Sequence, residues 1–437
     1  MNRQIGDTTM PPTIWRVLIM PGDTEIGLEL RRSLAWLKEV DLYSASTSKE
    51  AHGSYVFLRH FYVPSVLEAG WLPALQTVIN ENQITHIFPA HDDVLLALSE
   101  KSDVLHAKLV ASPECTCRIA RSKSATIQRI GSRVPTPILY RSVHNVDRYP
   151  VFLKPDRGQG GQRTDIATDQ PELEMLLRRD PERIICEFLP GSEFTVDCFS
   201  DRERGLLYVR GRERHRIRNG IAMNSAFTED PRFLEYALRI SEALEFHGAW
   251  FFQLKENADG RLCLLEVAPR IGGTSCLSRV SGVNLPLLSL YENERFQVDI
   301  PQAWYRVRVD RALENRYRHD LTYQSIYVDL DDTLVVKGHV NPDLVRLLYQ
   351  ELNKGKRLVL LTRHDGAVLD YLAQFRIQSL FDRVCEVGKG QKKSEFITDK
   401  SAILIDDSFS ECAEVRDKIG IPVFMTSMIE GLFDERV

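Results

Sequence analysis

Residues 249–274 read Ala-Trp-Phe-Phe-Gln-Leu-Lys-Glu-Asn-Ala-Asp-Gly-Arg-Leu-Cys-Leu-Leu-Glu-Val-Ala-Pro-Arg-Ile-Gly-Gly-Thr, and their pattern is that of a β-hairpin. Trp250–Lys255 forms one apolar strand, Asn257–Gly260 the turn and Arg261–Val267 the return. Asp259-Gly260 is the turn signal. Gln253 and Glu266 interrupt otherwise apolar strands. A carboxylate taken out of water is costly unless it is paired or bound to a cation. Glu266 is therefore either a solvent-facing residue of an edge strand or a ligand for Mg²⁺. Leu264, Leu265 and Val267 around it suggest burial on both faces and favour the ligand. Arg270 and the Gly272-Gly273 turn beside it would then hold anionic groups.

Composition bounds the rest. A chain of 437 residues holds two to four domains. Hydrophobic residues at 43% and charged residues at 27% fit a soluble globular protein. The net charge of −5 gives no support to nucleic acid as a partner. No apolar run approaches the roughly 18 residues that span a bilayer. Met1–Pro12 is polar, lacks the apolar core of a signal peptide and reads as a loose tail. Eight cysteines are scattered, with Cys115 and Cys117 the only close pair. Reduced thiols in a cytoplasmic protein are expected.

Toward the N-terminus, apolar runs (Ile14–Met20, Val40–Tyr43, Ile84–Pro89) alternate with helical stretches (Thr24–Glu39, Leu67–Glu81), as in an open parallel sheet. Gly22 and Gly27 do not form the G-x-G-x-x-G spacing, so a dinucleotide loop is not supported. His91 and Asp92 belong either to a loop facing a cleft or to a helix start capped by Asp92 or Asp93. A helical stretch, Glu114–Ile130, carries Lys123. Val151–Pro155 is a strand ending at Lys154, followed by Gly158-Gln159-Gly160-Gly161. Backbone N–H groups of such a loop close over phosphates, and Lys adds a point charge. Ile184–Asp197 delivers Glu187, Leu189 and Glu193. Arg202–Arg218 holds seven arginines and His215. It is either a solvated hairpin or an anion site built on Arg212, Arg214 and His215; only Tyr208 is interleaved, which argues against nucleic acid. Arg306–His319 reads as a charged linker helix.

From Ser325 a new alternation begins. Ser325–Leu334 is an apolar strand ending Asp329-x-Asp331-x-Thr333, which puts two carboxylates at a sheet's carboxyl edge. Leu358–Leu361 ends at Thr362, Lys389 (or Lys392, Lys393) precedes a helix, and Ala402–Ile405 ends in Asp406-Asp407.

Glu266-Val267-Ala268-Pro269-Arg270 resembles the metal-binding strand of ATP-grasp enzymes, and looks most like that of carbamoyl-phosphate synthase, biotin carboxylase and the amino-acid ligases. The resemblance implies that Gln253 and Glu266 are metal ligands. Ala268 stands where the family usually has Asn, which removes an oxygen from the second metal position. The Lys154-Pro155 to Gly161 stretch resembles the family's glycine lid. By the same resemblance Lys123, Lys154, Gly160 and Gly161 hold nucleotide phosphate. Glu187 and Leu189 meet the adenine edge and Glu193 the ribose. Arg212 meets triphosphate or substrate, and Arg270 holds an anion in catalysis. Residues 324–437 resemble the haloacid-dehalogenase (HAD) superfamily. That resemblance makes Asp329 a nucleophile forming an aspartyl-phosphate and Asp331 the acid/base. Thr362 and Lys389 would hold phosphoryl oxygens, and Asp329, Asp331 and Asp406 would bind Mg²⁺. Twenty-eight residues separate Thr333 from Thr362, too few for a cap domain.

The expected fold class is α/β. A tail (1–13) precedes a Rossmann-like pre-ATP-grasp domain (14–112), an ATP-grasp α+β domain (113–305), a linker (306–323) and a capless HAD-like three-layer α/β domain (324–437). The expected function is bifunctional. An ATP-dependent ligase activates a carboxylate as its acyl-phosphate for attack by an amine, and a C-terminal phosphatase acts on a phosphorylated metabolite. ATP and Mg²⁺ (or Mn²⁺) are the expected cofactors. Small molecules are the partners, with no nucleic acid and no membrane, and a homodimer is left open. The rival readings are an ATP-dependent phosphotransferase and a nucleotide-binding regulatory module attached to the phosphatase.

Overall fold

The computed structural model describes residues 14–158, 160–300 and 307–436. The expected tail, Gln159 of the glycine loop and the expected boundary at 305/306 lie outside these residues. The chain divides at Leu313/Glu314 into two compact units.

The first unit opens with five parallel strands, β1 (Trp15–Met20), β2 (Val40–Ser46), β3 (His60–Tyr62), β4 (His86–Pro89) and β5 (Lys108–Leu109), in the order β3-β2-β1-β4-β5. Near-continuous apolar strands need cover on both faces. Helix Glu25–Leu34 sets Ile26, Leu30 and Leu34 with Val17 and Ile19 on one face. Helix Trp71–Asn82 sets Leu75, Val78 and Ile79 with Leu18 and Ile87 on the other. Strand order reverses at β1, so the carboxyl ends of β1 and β4 flank a crevice.

The expected single helix over 114–130 is two helices, Glu114–Arg121 and Lys123–Ile130. Ser122 is extended between them, and its hydroxyl accepts from Ala125 N at 3.1 Å and donates to Asp156 at 2.6 Å. A serine that caps the next helix ends the one before.

Four short strands follow, β6 (Leu139–Tyr140), β7 (Val151–Pro155), β8 (Asp165–Ala167) and β9 (Arg183–Glu187), in antiparallel order β6-β9-β7-β8. A six-stranded antiparallel sheet completes the unit: β10 (Glu193–Asp201), β11 (Gly205–Arg218), β12 (Ile221–Phe227), β13 (Gly248–Glu256), β14 (Leu262–Ala268) and β15 (Arg308–Asp310), ordered β14-β13-β10-β11-β12-β15. Helix Pro231–Ala243 packs Phe233, Tyr236, Ala237 and Ile240 against Val196, Cys198, Trp250, Phe252 and Leu264. The β13–β14 hairpin pairs Gln253 with Glu266 and Leu254 with Leu264, leaving Leu265 as the extra residue of a bulge. A bulge re-aims side chains; here Leu265 and Glu266 line the same cavity although they are adjacent.

The expected linker helix over 306–319 is not formed by its described residues. Arg308–Asp310 instead adds to the sheet edge beside β12, and residues 311–324 carry no regular element. Asp310 is drawn there by Arg216 at 2.9 Å and by Asn224 Nδ2 at 2.7 Å.

The second unit has a parallel sheet of β16 (Ser325–Val328), β19 (Arg357–Thr362), β20 (Arg383–Glu386), β21 (Ala402–Ile405) and β22 (Val423–Phe424), with a hairpin of β17 (Val335–Val336) and β18 (His339–Val340). Sheet order is β20-β19-β16-β21-β22. Helix Pro342–Asn353 buries Leu344, Leu347 and Leu348 with Ile326, Val328 and Leu360. Helix Phe409–Ile419 buries Val415 with Tyr327, Val359 and Leu404. The two clusters make three layers. Among the described residues no helix is long and apolar enough to cross a membrane.

Trp250 is 1% exposed, stacks on Phe246 with centroids 4.0 Å apart, and donates Nε1–H to Ser200 Oγ at 2.9 Å. Trp250→Ala should lower the unfolding free energy by about 3–5 kcal/mol in denaturant titrations. A loss below about 1 kcal/mol would mean that this cluster is not the centre of the sheet's core.

Candidate functional site

A cavity of about 240 Å³ lies between the small sheet and the six-stranded sheet. Phe152, Phe188, Leu189 and Leu265 give it apolar walls, and Lys123, Lys154, Gly160 and Gly161 close one side. Lys154 ends up there because β7 is buried and stops at Pro155; its side chain is 7% exposed and no hydrogen bond or ion pair of its ammonium is found among the described residues. Lys123 is the first residue of its helix, and its ammonium donates to Gly158 O at 3.0 Å. Burial lowers the Lys123 pKa; Glu266 opposes this and Lys154 adds to it. The Gly160–Gly161 loop meets the β11–β12 turn at Gly220. A Cβ on Gly220, whose φ is +72°, would lie 2.4 Å from the Gly160 carbonyl carbon, so the two segments close together only with glycine there.

Glu187 accepts from Ile138 N at 3.1 Å while its own N–H donates to Ile138 O at 2.8 Å. Leu189 is buried beside it. Glu193 accepts from Arg214 and lies 3.5 Å from Lys255. Arg214 also donates to Gln253 Oε1 at 2.8 Å and to Gly220 O. Gln253 and Glu266 face each other across β13 and β14 and present oxygens to the cavity. Ala268 is buried and offers none.

A second cavity, of about 670 Å³, shares Gly160, Gly161, Arg214, Gln253 and Glu266 with the first. It runs to the carboxyl ends of β1 and β4, where Glu25, His91 and Asp92 line it. Arg212, expected to meet triphosphate or substrate, lines this second cavity and not the first. It is 1% exposed, with its guanidinium on Asp197 and on Thr274 Oγ1 at 2.8 Å. His215 is displaced from the expected cluster. Neighbours alternate faces along a strand, and His215 is 36% exposed with Glu213 at 3.8 Å. Arg270 donates to both Asp92 oxygens at 2.6 and 2.7 Å. The cap of helix Asp92–Ser99 is His91, whose Nδ1 accepts from Asp93 N at 3.2 Å, rather than Asp92 or Asp93.

In the second unit Asp329 and Asp406 follow β16 and β21 at the sheet's carboxyl edge. Oxygens of Asp329, Asp406 and Asp407 lie within 4.8 Å of one another. Two expectations need correcting. Lys389 is exposed, whereas Lys393 is buried and donates to Asp329 at 2.7 Å and Asp406 at 2.5 Å. Lys393 heads a short 3₁₀ turn and is buried, while Lys389 lies exposed on the preceding loop. Asp331 is turned toward His364 Nδ1 at 2.9 Å, and Asp407 joins the acidic cluster in its place. Thr362 is fully buried, and its hydroxyl accepts from His364 N at 3.1 Å. Burial pushes the Asp329 carboxyl up to about 6, with Lys393 opposing and Asp406 adding to the rise. Lys393 is raised, because Asp329 and Asp406 outweigh its burial.

The first unit has the ATP-grasp fold. Residues 179–312 match the family described as ATP-grasp in the biosynthetic pathway with Ter operon. The chain is 28% identical over 184 residues to the carbamoyl phosphate synthase large chain of Clostridium beijerinckii, covering 38% of this chain and 17% of that protein. It thus spans less than a fifth of that relative's length. Biotin carboxylase of Campylobacter jejuni, solved as a complex with an ATP analogue, superposes with a TM-score of 0.55 at 16% identity, over 66% of this chain and 72% of the other. An ADP complex of an N5-carboxyaminoimidazole ribonucleotide synthetase gives 0.56 at 14%, over 68% and 81%.

Burial alone would raise the Asp92 carboxyl, but the charge and hydrogen bonds of Arg270, helped by Arg121, bring it from near 3.8 to about 2. A depressed carboxyl contributes stability above its unfolded pKa and loses it as pH falls through the folded one. Relative to Asp92→Asn, the wild type should lose about 2 kcal/mol between pH 5 and pH 2. Parallel unfolding curves for the two proteins across that range would contradict the pairing.

Proposed function

We propose that the first unit is an ATP-dependent carboxylate–amine ligase and the second a Mg²⁺-dependent phosphohydrolase of the haloacid-dehalogenase kind. The observation that carries the ligase reading is Lys154. A nearly buried ammonium with no carboxylate on it, aimed into an apolar-walled cavity beside a glycine loop, suits a phosphate chain attached to a planar base. Lys123, Gly160 and Gly161 surround the same chain. The backbone between Glu187 and Leu189 faces the base, and Glu193 faces the ribose. The two cavities share Arg214, Gln253 and Glu266 in their lining, which supports a terminal phosphate bound within reach of a second substrate. There a substrate carboxylate attacks the γ-phosphorus and ADP leaves. The acyl-phosphate is then attacked by an amine, releasing phosphate and leaving an amide. Arg214 donates hydrogen bonds to the transferred group while remaining held by Glu193, and Arg270 orients an anionic substrate while remaining held by Asp92.

The oxygens of Gln253 and Glu266 fit a hard divalent cation, which would screen the phosphates; with Ala268 beside them, a second ion has fewer protein oxygens. In the second unit Asp329, Asp406 and Asp407 fit such a cation equally well. There Asp329 Oδ attacks phosphorus, the ester oxygen leaves with a proton from Asp331, and water then releases phosphate from the aspartyl group. Lys393 takes the role expected of Lys389, holding Asp329 and the phosphoryl oxygens. Lys393 and Asp329 differ in what they explain: the first fixes geometry, the second makes the bond.

Lys154→Ala should weaken MgATP binding by about 1.5–3 kcal/mol in calorimetry. Unchanged affinity in both Lys154→Ala and Glu266→Ala would overturn the nucleotide site. Tight MgATP binding with no ADP formed from any carboxylate and amine would instead favour the regulatory module, for which Ala268 is the motivating residue. Asp329→Asn should abolish phosphate release from phosphorylated metabolites and leave ATP binding intact. Retained release in that variant would remove the phosphatase assignment.

A further inference from the structure

The second unit brings four carboxylates to one sheet edge, and one of them is held apart. Oxygens of Asp329, Asp406 and Asp407 lie within 4.8 Å of one another, whereas Asp331, two residues after Asp329, is outside that group. The backbone around it is fixed. Leu334 N and Val335 N both donate to Leu330 O, at 2.9 and 2.8 Å, and Asp332 N donates to Val335 O at 2.9 Å. Where the carboxyl points is therefore decided by its side-chain torsions. Among the described residues the one group bonded to it is His364 Nδ1, 2.9 and 3.0 Å from its two oxygens. His364 is itself clamped. Its backbone N–H donates to Thr362 Oγ1 at 3.1 Å, and its ring stacks on Tyr371 of helix Val368–Gln374 with centroids 4.4 Å apart. Phe375 meets Tyr371 edge-on at 5.0 Å. The Asp331 side chain is 47% exposed, and a polar pair so open to water adds little to stability. Stability alone does not account for an imidazole held on both its backbone and its ring.

We propose that His364 is the positioning residue for Asp331, holding that carboxyl out of the cation cluster and toward the leaving group. This rests on the phosphatase reading and adds a residue to it. A divalent cation at Asp329, Asp406 and Asp407 attracts any further carboxylate within reach. A carboxylate bound to the cation has no proton to give. The hydrogen bond with Nδ1 opposes that pull whichever of the two partners carries the proton. In the first step a bond forms between Asp329 Oδ and phosphorus, the ester P–O bond breaks, and the proton of Asp331 passes to the departing oxygen. An alkoxide needs that proton in order to leave. A nitrophenolate, whose charge is spread over its ring, does not. Misplacing Asp331 therefore slows alkyl esters and spares aryl ones.

The test is steady-state kinetics on the full chain with Mg²⁺, comparing p-nitrophenyl phosphate with the fastest-cleaved member of a panel of alkyl and sugar phosphates. His364→Ala should lower kcat/KM about tenfold or more for the alkyl ester and less than about threefold for the aryl ester. His364→Asn, whose amide nitrogen stands near the place of Nδ1, should return most of that loss. In an Asp331→Ala background, His364→Ala should cause no further loss. If His364→Ala lowers both esters alike or neither, if Asn does no better than Ala, or if the losses add in the double variant, the inference is wrong while the phosphatase stands. A wild type that cleaves the aryl ester and no alkyl one also overturns it, because Asp331 is then not serving as the acid. If the wild type releases no phosphate from any ester, or Asp329→Asn retains release, the phosphatase reading fails and the inference falls with it.

Discussion

The contact between Arg270 and Asp92 ties together the two halves of the first unit. Asp92 stands at the carboxyl end of β4 and Arg270 just after β14, so one bidentate pair joins the parallel sheet to the hairpin that carries Gln253 and Glu266. Phe251 on β13 lies under the guanidinium, 5.2 Å from its centroid. Two charges taken from water are tolerable only while they face each other in good geometry. The pair therefore constrains both sheets at once, and the second cavity exists because they are held apart at that fixed place.

A pattern follows from the same rule. The cleft is rich in arginine, yet most of its guanidiniums are internally neutralised by Asp197, Glu193 and Asp92. These ions shape the walls; a ligand that displaced them would have to replace what their partners supply. Among the described residues the charged groups without ion-pair partners include Lys154 in the first cavity, Arg311 and Glu25 in the second, and Glu266 on both. An arginine count read along β11 thus overstates how much anion the site can hold.

Much of this was legible in the sequence because the signals are local. The hairpin around Asp259-Gly260, the parallel strands of the N-terminus and Lys154 before its glycines rest on periodicity, turn residues and strand ends, which a few neighbours determine. What was misread depends on long-range pairing. Leu264 and Leu265 side by side suggested a doubly buried strand, whereas a bulge puts one in the core and the other on the cavity. Arg308–Asp310 is too charged to suggest a strand and becomes one because Arg216 and Asn224 hold Asp310 at the sheet edge. Glu25 and Arg311 carry no motif, and only the tertiary structure sets them around Gly273.

The lysines of the second unit show where local reading stops. Lys389, Lys392 and Lys393 are equivalent as letters before a turn, and burial decides among them. Lys393 is the one with acids on two sides, so its desolvation is offset twice over, while Lys389 on the outer loop has no such compensation. Three carboxylates converge with one ammonium, leaving the cluster net negative. The raised Asp329 carboxyl has burial as its first cause; Lys393 opposes the rise and Asp406 adds to it. A site whose own charges do not cancel is specific for what cancels them. Among the described residues Lys154 and Glu266 both stand on the first cavity without an ion-pair partner, whereas Asp329, Asp406 and Asp407 share the one ammonium of Lys393.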